Sequence, residues 1–226
     1  MSYKILFAGI DGSGKSTLAD LLTAKLSKKY RVLKIGNRNS YILHNCEKKE
    51  VVTYKWYELI DHMRILSKKI HMYGIFLVFN ISYKYIASKY MINFSRVDMI
   101  MYETDTLLHP AVYMTYHFPL TKKLSPHIRF KIVKILFGFK KNFLIFYLDI
   151  DPSIAMERIH RRDVPIQPHE NCEDLEVLRN EFVNVLNAAS KDGFEIIRIN
   201  TDKKNLETLI GEMERVLQEK LILVSK

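Results

Sequence analysis

Two cysteines, Cys46 and Cys172, are all that this 226-residue chain carries. One pair makes no disulfide framework, and no metal-binding spacing surrounds it. A reducing compartment, the cytoplasm, is therefore expected. Long apolar runs are equally scarce. The N-terminal one is too short for a signal peptide and opens onto a glycine-rich loop. The most apolar stretch, residues 75–81, is far below the length that crosses a bilayer, and Lys84 follows closely. No membrane partner is expected, and the stretch reads as a buried helix or a subunit contact. Repeats, linkers and low-complexity tracts are missing too, so a single domain over residues 1–226 is the expectation. There is no long basic run, although the formal net charge is +10. Lysines spread along the chain favour small polyanions as partners and disfavour nucleic acid.

What is present is ordinary for a globular protein with a real core: 48% hydrophobic and 27% charged residues. Strand-like and helix-like segments alternate. Short apolar runs at 3–8, 31–35, 98–102, 143–148 and 194–199 read as strands. Leu18, Leu22 and Leu26 recur at helical spacing, and so do Trp56, Leu59, Ile60, Met63, Leu66 and Ile70. Pro152 stands where a helix over residues 152–160 can begin. Residues 174–189 are expected to be helical with Gly193 as the stop, and a last helix is expected over 203–221. This alternation predicts an α/β fold in three layers, with a five-stranded parallel sheet covered on both faces. Residues 37–93 are long for one crossover and hold two helical patterns. They are read as an inserted helical subregion, part of an acceptor-side region over 37–121.

The strongest motif is Gly9-Ile10-Asp11-Gly12-Ser13-Gly14-Lys15-Ser16, a complete G-x-x-x-x-G-K-[ST] phosphate loop. Its glycines let the backbone wrap around phosphate oxygens with N–H groups pointing inward. The helix that begins near Lys15 adds the positive end of its dipole. In this setting Lys15 bridges the β- and γ-phosphates of ATP, and the Ser16 hydroxyl ligates Mg²⁺. A second cluster, Arg158, Arg161 and Arg162, is spaced to share one helix face and suits the charge that spreads over a transferring phosphoryl group.

The run from Phe7 to Thr17 resembles the opening of the thymidylate kinases and their relatives. The run from Phe143 to Pro152, and on through Arg158 to Asp163, resembles their fourth strand, the following helix and an arginine-bearing lid, placed here at residues 158–172. The resemblance implies an ATP-dependent phosphotransferase acting on a nucleoside monophosphate or a related small acceptor, and pairing of two copies through helices. Residues 75–79, apolar on all sides of any helix, point the same way. The resemblance also implies that Gly9, Asp11, Gly12, Ser13, Gly14, Lys15, Ser16 and Thr17 hold the nucleotide. Lys15 and the lid arginines would act on the γ-phosphate, and Asp11 would touch the acceptor or the Mg²⁺ shell; a turn-forming role suits Asp11 equally. Glu103 stands where the family carries the Asp of an Asp-Arg pair, and could serve Mg²⁺ or orient the nucleophile.

Three departures bear on the acceptor. Thr104 replaces the family's arginine after that acid. The Arg-Glu-Pro-Gly block after the second strand is absent, with Asn37, Arg38, Asn39 and Ser40 in its place. Arg64 is a weaker candidate for contact with an acceptor base, a surface charge being the plainer role. A nucleoside, sugar or other metabolite hydroxyl, with Glu103 or Asp105 as base, is the alternative acceptor. A non-catalytic nucleotide sensor is a further alternative. Asn200, Thr201 and Asp202 stand either where related enzymes hold adenine or as an N-cap for the last helix.

Overall fold

A computed structural model describes residues 2–36, 40–45, 48–53, 96–103, 108–137, 143–162 and 165–224, together with His62, Met63, Leu66, Phe79, Ser82 and Ile86, which are helical. The strands are β1 (Tyr3–Ala8), β2 (Val32–Ile35), β3 (Ser40–Asn45), β4 (Lys48–Thr53), β5 (Met99–Tyr102), β6 (Phe143–Asp149) and β7 (Glu195–Asn200). Named helices are α1 (Lys15–Leu26), α2 (Leu108–His117), α3 (Pro126–Phe137), α4 (Pro152–His160), α5 (Cys172–Lys191) and α6 (Leu206–Val224), with a 3₁₀ turn at Pro119–Lys123.

The seven strands form one sheet in the order β4-β3-β2-β5-β1-β6-β7. All five expected strands are there, and they are mutually parallel. The expectation of five strands is nevertheless corrected to seven. β3 and β4 form an antiparallel hairpin on the β2 edge, with Asn45 opposite Lys48. Residues 37–93 therefore do not open as helix. The hairpin was missed because its two-residue connection, Cys46-Glu47, carries no glycine or asparagine turn signal. α2 falls within the acceptor-side region expected to be helical, whereas α3 was not anticipated.

Alternation along the strands divides the core into two apolar clusters, one on each face. Ile5, Phe7, Val32, Met99, Met101, Leu144 and Phe146 pack with α1 and α6 residues such as Leu18, Leu22 and Met213. Leu6, Ala8, Leu33, Ile35, Ile100, Ile145 and Tyr147 pack with Phe130 of α3 and Leu178 and Phe182 of α5. Every residue of β6 is buried, as a central parallel strand covered on both faces requires. β1 connects through α1 to β2 on one side, whereas β5 connects through α2 and α3 to β6 on the other. The sheet thus reverses its winding between β1 and β5, where a crevice opens at the carboxyl ends of the strands. The loop after β1 and Glu103 after β5 both emerge there.

Among the described residues no helix is long and apolar enough to cross a membrane. Of the apolar stretch at 75–81 only Phe79 is described, helical and exposed. Trp56 lies outside the described residues.

Candidate nucleotide-binding site

The phosphate loop is shaped by its glycines. Gly9, Gly12 and Gly14 have φ of 148°, 81° and 90°. A side chain fails at the first two for reasons of space as well. A Cβ on Gly9 would stand 2.6 Å from the Leu148 carbonyl oxygen, and one on Gly12 would stand 2.6 Å from that of Ala155 in α4. Gly14 is the N-cap of α1 and brings no side chain to cap it. The amides of the first helical turn are left facing the loop, which suits an anion.

Lys15 folds back over the loop: its Nζ donates to the carbonyls of Gly9 at 2.9 Å and Ile10 at 2.8 Å, and lies 3.7 Å from Asp11 Oδ1. Ser16 and Thr17 are exposed at the start of α1. Ser13 is fully buried beneath Gly9: its Oγ has no hydrogen-bond partner, and its amide donates to the Ile10 carbonyl at 3.3 Å.

Asp11 is more than a turn former. It accepts from the Tyr113 hydroxyl at 3.3 Å and faces His169 Nε2 at 3.1 Å. Burial alone would raise its pKa. The Lys15 charge, the His169 hydrogen bond and the His109 charge outweigh burial and hold the carboxyl well below its usual range. An ionised carboxylate only accepts, so His169 Nε2 carries the proton. Burial, and then the Asp11 charge, push Tyr113 well above the ordinary phenol value, so it remains a donor. Its ring stacks on His109, with centroids 3.8 Å apart, and meets His169 edge-on. Tyr113, His109 and His169 were missed in the sequence, where lone histidines and tyrosines carry no motif.

The three arginines do not act from one helix face. α4 ends at His160, so Arg161 caps it and Arg162 stands beyond it. Arg158 donates to the carbonyls of Thr201 at 2.6 Å and Asp202 at 3.4 Å, in the loop after β7. Arg161 is exposed and pairs with Glu157 one turn back. Arg162 pairs with Glu170, a fully buried carboxylate that also accepts from the Gln167 amide. The chain then reaches His169, hence the phosphate loop. Asp11, His169 and Glu170 present ligand atoms within 4.8 Å of one another. Each is paired within the protein, so the group fastens the segment after α4 onto the loop. Asp163 and Val164 of the lid lie outside the described residues.

Glu103 is buried and pairs with Lys34 of β2 through Oε2 at 2.8 Å. Lys34 also donates to Asp20 of α1 at 2.5 Å. Burial would lower the Lys34 pKa, but the hydrogen bonds and charges of Asp20 and Glu103 raise it above the ordinary value, so it is a cation. Arg38, Arg64, Thr104 and Asp105 lie outside the described residues.

The cap of the last helix is Asn205, whose Oδ1 accepts from the Thr208 amide, and not Asp202. Asp202 instead accepts from the Asp151 amide at 2.8 Å, tying the loop after β7 to the start of α4. Asp149, at the end of β6, is buried between Arg179 and Arg198 and holds the outer strand and α5 in place.

No family model matches the chain. It is 29% identical over 182 residues to a thymidylate kinase of Leptospira interrogans, covering 80% of each. It is 25% identical over 234 aligned positions to a probable thymidylate kinase of Methanococcus aeolicus, covering 99% of this chain and 100% of that one. Among solved structures, a deoxyadenosine kinase from M. mycoides with the products dCMP and dCDP matches with a TM-score of 0.60 at 17% identity. That match covers 96% of this chain and 99% of the other. A thymidylate kinase from Candida albicans matches with a TM-score of 0.60 at 15% identity, covering 97% and 92%. The fold and the loop are those of a P-loop protein, and the proteins it is similar to are nucleotide kinases. Within that class the chain is thymidylate kinase-like.

Proposed function

We propose that this chain transfers the γ-phosphoryl group of ATP to a nucleoside monophosphate or a related small acceptor. The observation that carries the reading is the phosphate loop itself. Its cradle admits no side chain at Gly9 or Gly12, its helix N-terminus has no side-chain cap, and its lysine rests on its own loop carbonyls. An entering phosphate takes Lys15 from Gly9 and Ile10, exchanging neutral acceptors for anionic ones. Arg158, in the last turn of α4 beside the loop after β7, and Arg162, just beyond the helix beside Glu170, supply positive charge as negative charge moves from donor to acceptor. Asp11, fixed by Tyr113 and His169, stays ionised and is placed to orient an acceptor hydroxyl. A phosphate acceptor is already anionic and needs no base.

The oxygen donors fit a magnesium ion: Ser16 offers an exposed hydroxyl in the first turn of α1 and Glu103 a carboxylate. When bound with the nucleotide, the ion neutralises phosphate charge. A hydroxyl acceptor is the second reading, favoured by Glu103, whose carboxylate stands at the end of β5.

The test compares ADP release with dTMP, other monophosphates, nucleosides and sugars at saturating ATP and Mg²⁺. Acceptor-dependent release is expected, and its complete absence with every acceptor would leave only nucleotide sensing. Efficiency with dTMP is expected below about 10⁴ M⁻¹s⁻¹, because Thr104 supplies no guanidinium between two phosphates. Lys15→Ala is expected to abolish turnover while leaving the melting temperature in place; unchanged turnover would contradict the loop's assignment.

A further inference from the structure

Lys34 is a charged residue in a position where the fold asks for an apolar one. It is the third residue of β2, and its side chain is only 5% exposed. Val32, two residues earlier, points into the apolar cluster beneath α1, as do Met99 and Met101 on β5. By strand alternation Lys34 faces the same way. Apolar residues in place of both Lys34 and Glu103 would pack with those neighbours, and replacing a whole buried ion pair in this way is often neutral or stabilising, although removing Lys34 alone leaves Glu103 buried and unpaired. The ammonium is therefore not explained by stability.

Its two partners explain it better. Asp20 lies on α1, and Glu103 follows β5. Asp20 is four residues, one helical turn, after Ser16, so the two share a face of α1. Lys34 thus reaches the face of α1 that carries Ser16 and draws Glu103 to it. Its bond takes Oε2 of Glu103 and leaves Oε1 without a partner among the described residues. Two carboxylates meet one ammonium beside the second turn of α1, one turn along the helix from Ser16.

We propose that Lys34 is a positioning residue: it holds the Glu103 carboxylate in line with Ser16, so that the pair faces the divalent cation that enters with the nucleotide. This rests on the phosphotransferase reading above. A glutamate at the end of a strand has three side-chain torsions to fix. A buried, doubly anchored ammonium fixes the carboxylate before the ion arrives, as outer partners do for metal ligands.

The test uses the full chain and its Lys34→Met, Lys34→Arg and Glu103→Gln variants, with Mn²⁺ as the probe. Free Mn²⁺ is counted by electron paramagnetic resonance during titration of the ADP-bound protein. ADP affinity in EDTA and the melting temperature are measured alongside. Lys34→Met and Glu103→Gln are each expected to weaken Mn²⁺ binding about tenfold or more. Lys34→Arg retains most of the affinity, and the Lys34→Met/Glu103→Gln double variant loses no more than the worse single one, because both act through one contact. ADP affinity in EDTA is unchanged throughout.

A lower melting temperature with unaltered Mn²⁺ affinity in Lys34→Met would overturn the proposal and leave Lys34 a structural residue. Should Lys34→Met fail to fold, Glu103→Gln decides: unaltered Mn²⁺ affinity, with or without lost turnover, refutes the proposal. Failure of the unmodified chain to bind ADP at all would instead defeat the phosphotransferase reading.

Discussion

Substituting Gly12 and Gly14 separately by alanine tests whether the phosphate loop is held by backbone conformation alone or also by its packing on α4. Both glycines have left-handed φ, 81° and 90°. A non-glycine residue in that region costs about 1–2 kcal/mol, so each variant loses that much. Their surroundings differ. A Cβ on Gly14 meets only Leu18 Cδ1, at 3.9 Å, which is an ordinary contact. A Cβ on Gly12 meets the carbonyl oxygen of Ala155 at 2.6 Å and its Cα and carbonyl carbon at 3.0 Å, all backbone. Backbone in a helix cannot rotate aside, so loop and α4 must separate, at a further cost of about 1–3 kcal/mol. For a chain of this size each kcal/mol moves the melting temperature by about 2–4 °C. Gly14→Ala should therefore melt about 2–8 °C lower than the unmodified protein, and Gly12→Ala roughly 4–20 °C lower, by the same scaling. The displaced α4 also carries Arg158, so Gly12→Ala should release the contact to Thr201 and lose turnover beyond its loss of stability. The assay is differential scanning fluorimetry beside steady-state ADP release. Equal melting temperatures for the two variants, or a more stable Gly12→Ala, would refute the reasoning.

Two further outcomes follow from the charged clusters. Arg179 and Arg198 overcome the effect of burial on Asp149 and hold its folded-state pKa below the ordinary value of 3.8. The unfolded chain then binds the proton more readily, so the stability from this cluster is complete above pH 3.8 and is lost as pH falls through the lower folded value. Asp149→Asn should flatten the acid limb of the stability curve in that window, and an identical limb would show that other carboxylates govern it. Glu170→Gln removes the charge that Arg162 pairs with, a loss of roughly 1–3 kcal/mol locally. Amide exchange at Glu170, whose N–H donates to the Gln167 carbonyl at 2.9 Å, should accelerate about tenfold or more. Unchanged exchange would mean that the His169 contact alone fastens the segment.

The sequence by itself determined the loop, the five parallel strands and the presence of helices between them. Each of these rests on local information: glycines where the backbone turns left, apolar runs of strand length, and leucines at helical spacing. The same locality explains what was missed. The β3–β4 hairpin turns on two residues with no turn signal, and α4 stops one residue before Arg161, so periodicity overstated the arginine face. Only the tertiary structure decided which groups meet. His169 reaches Asp11 across 158 residues, Lys34 joins Asp20 to Glu103, and Arg158 is delivered to the loop after β7. These contacts depend on strand order, because β5 and β6 flank β1 in space although neither adjoins it in sequence. No local spacing encodes that adjacency. It arises when the two faces of the sheet are buried together, and the charged groups at the strand ends are then placed by which strands became neighbours.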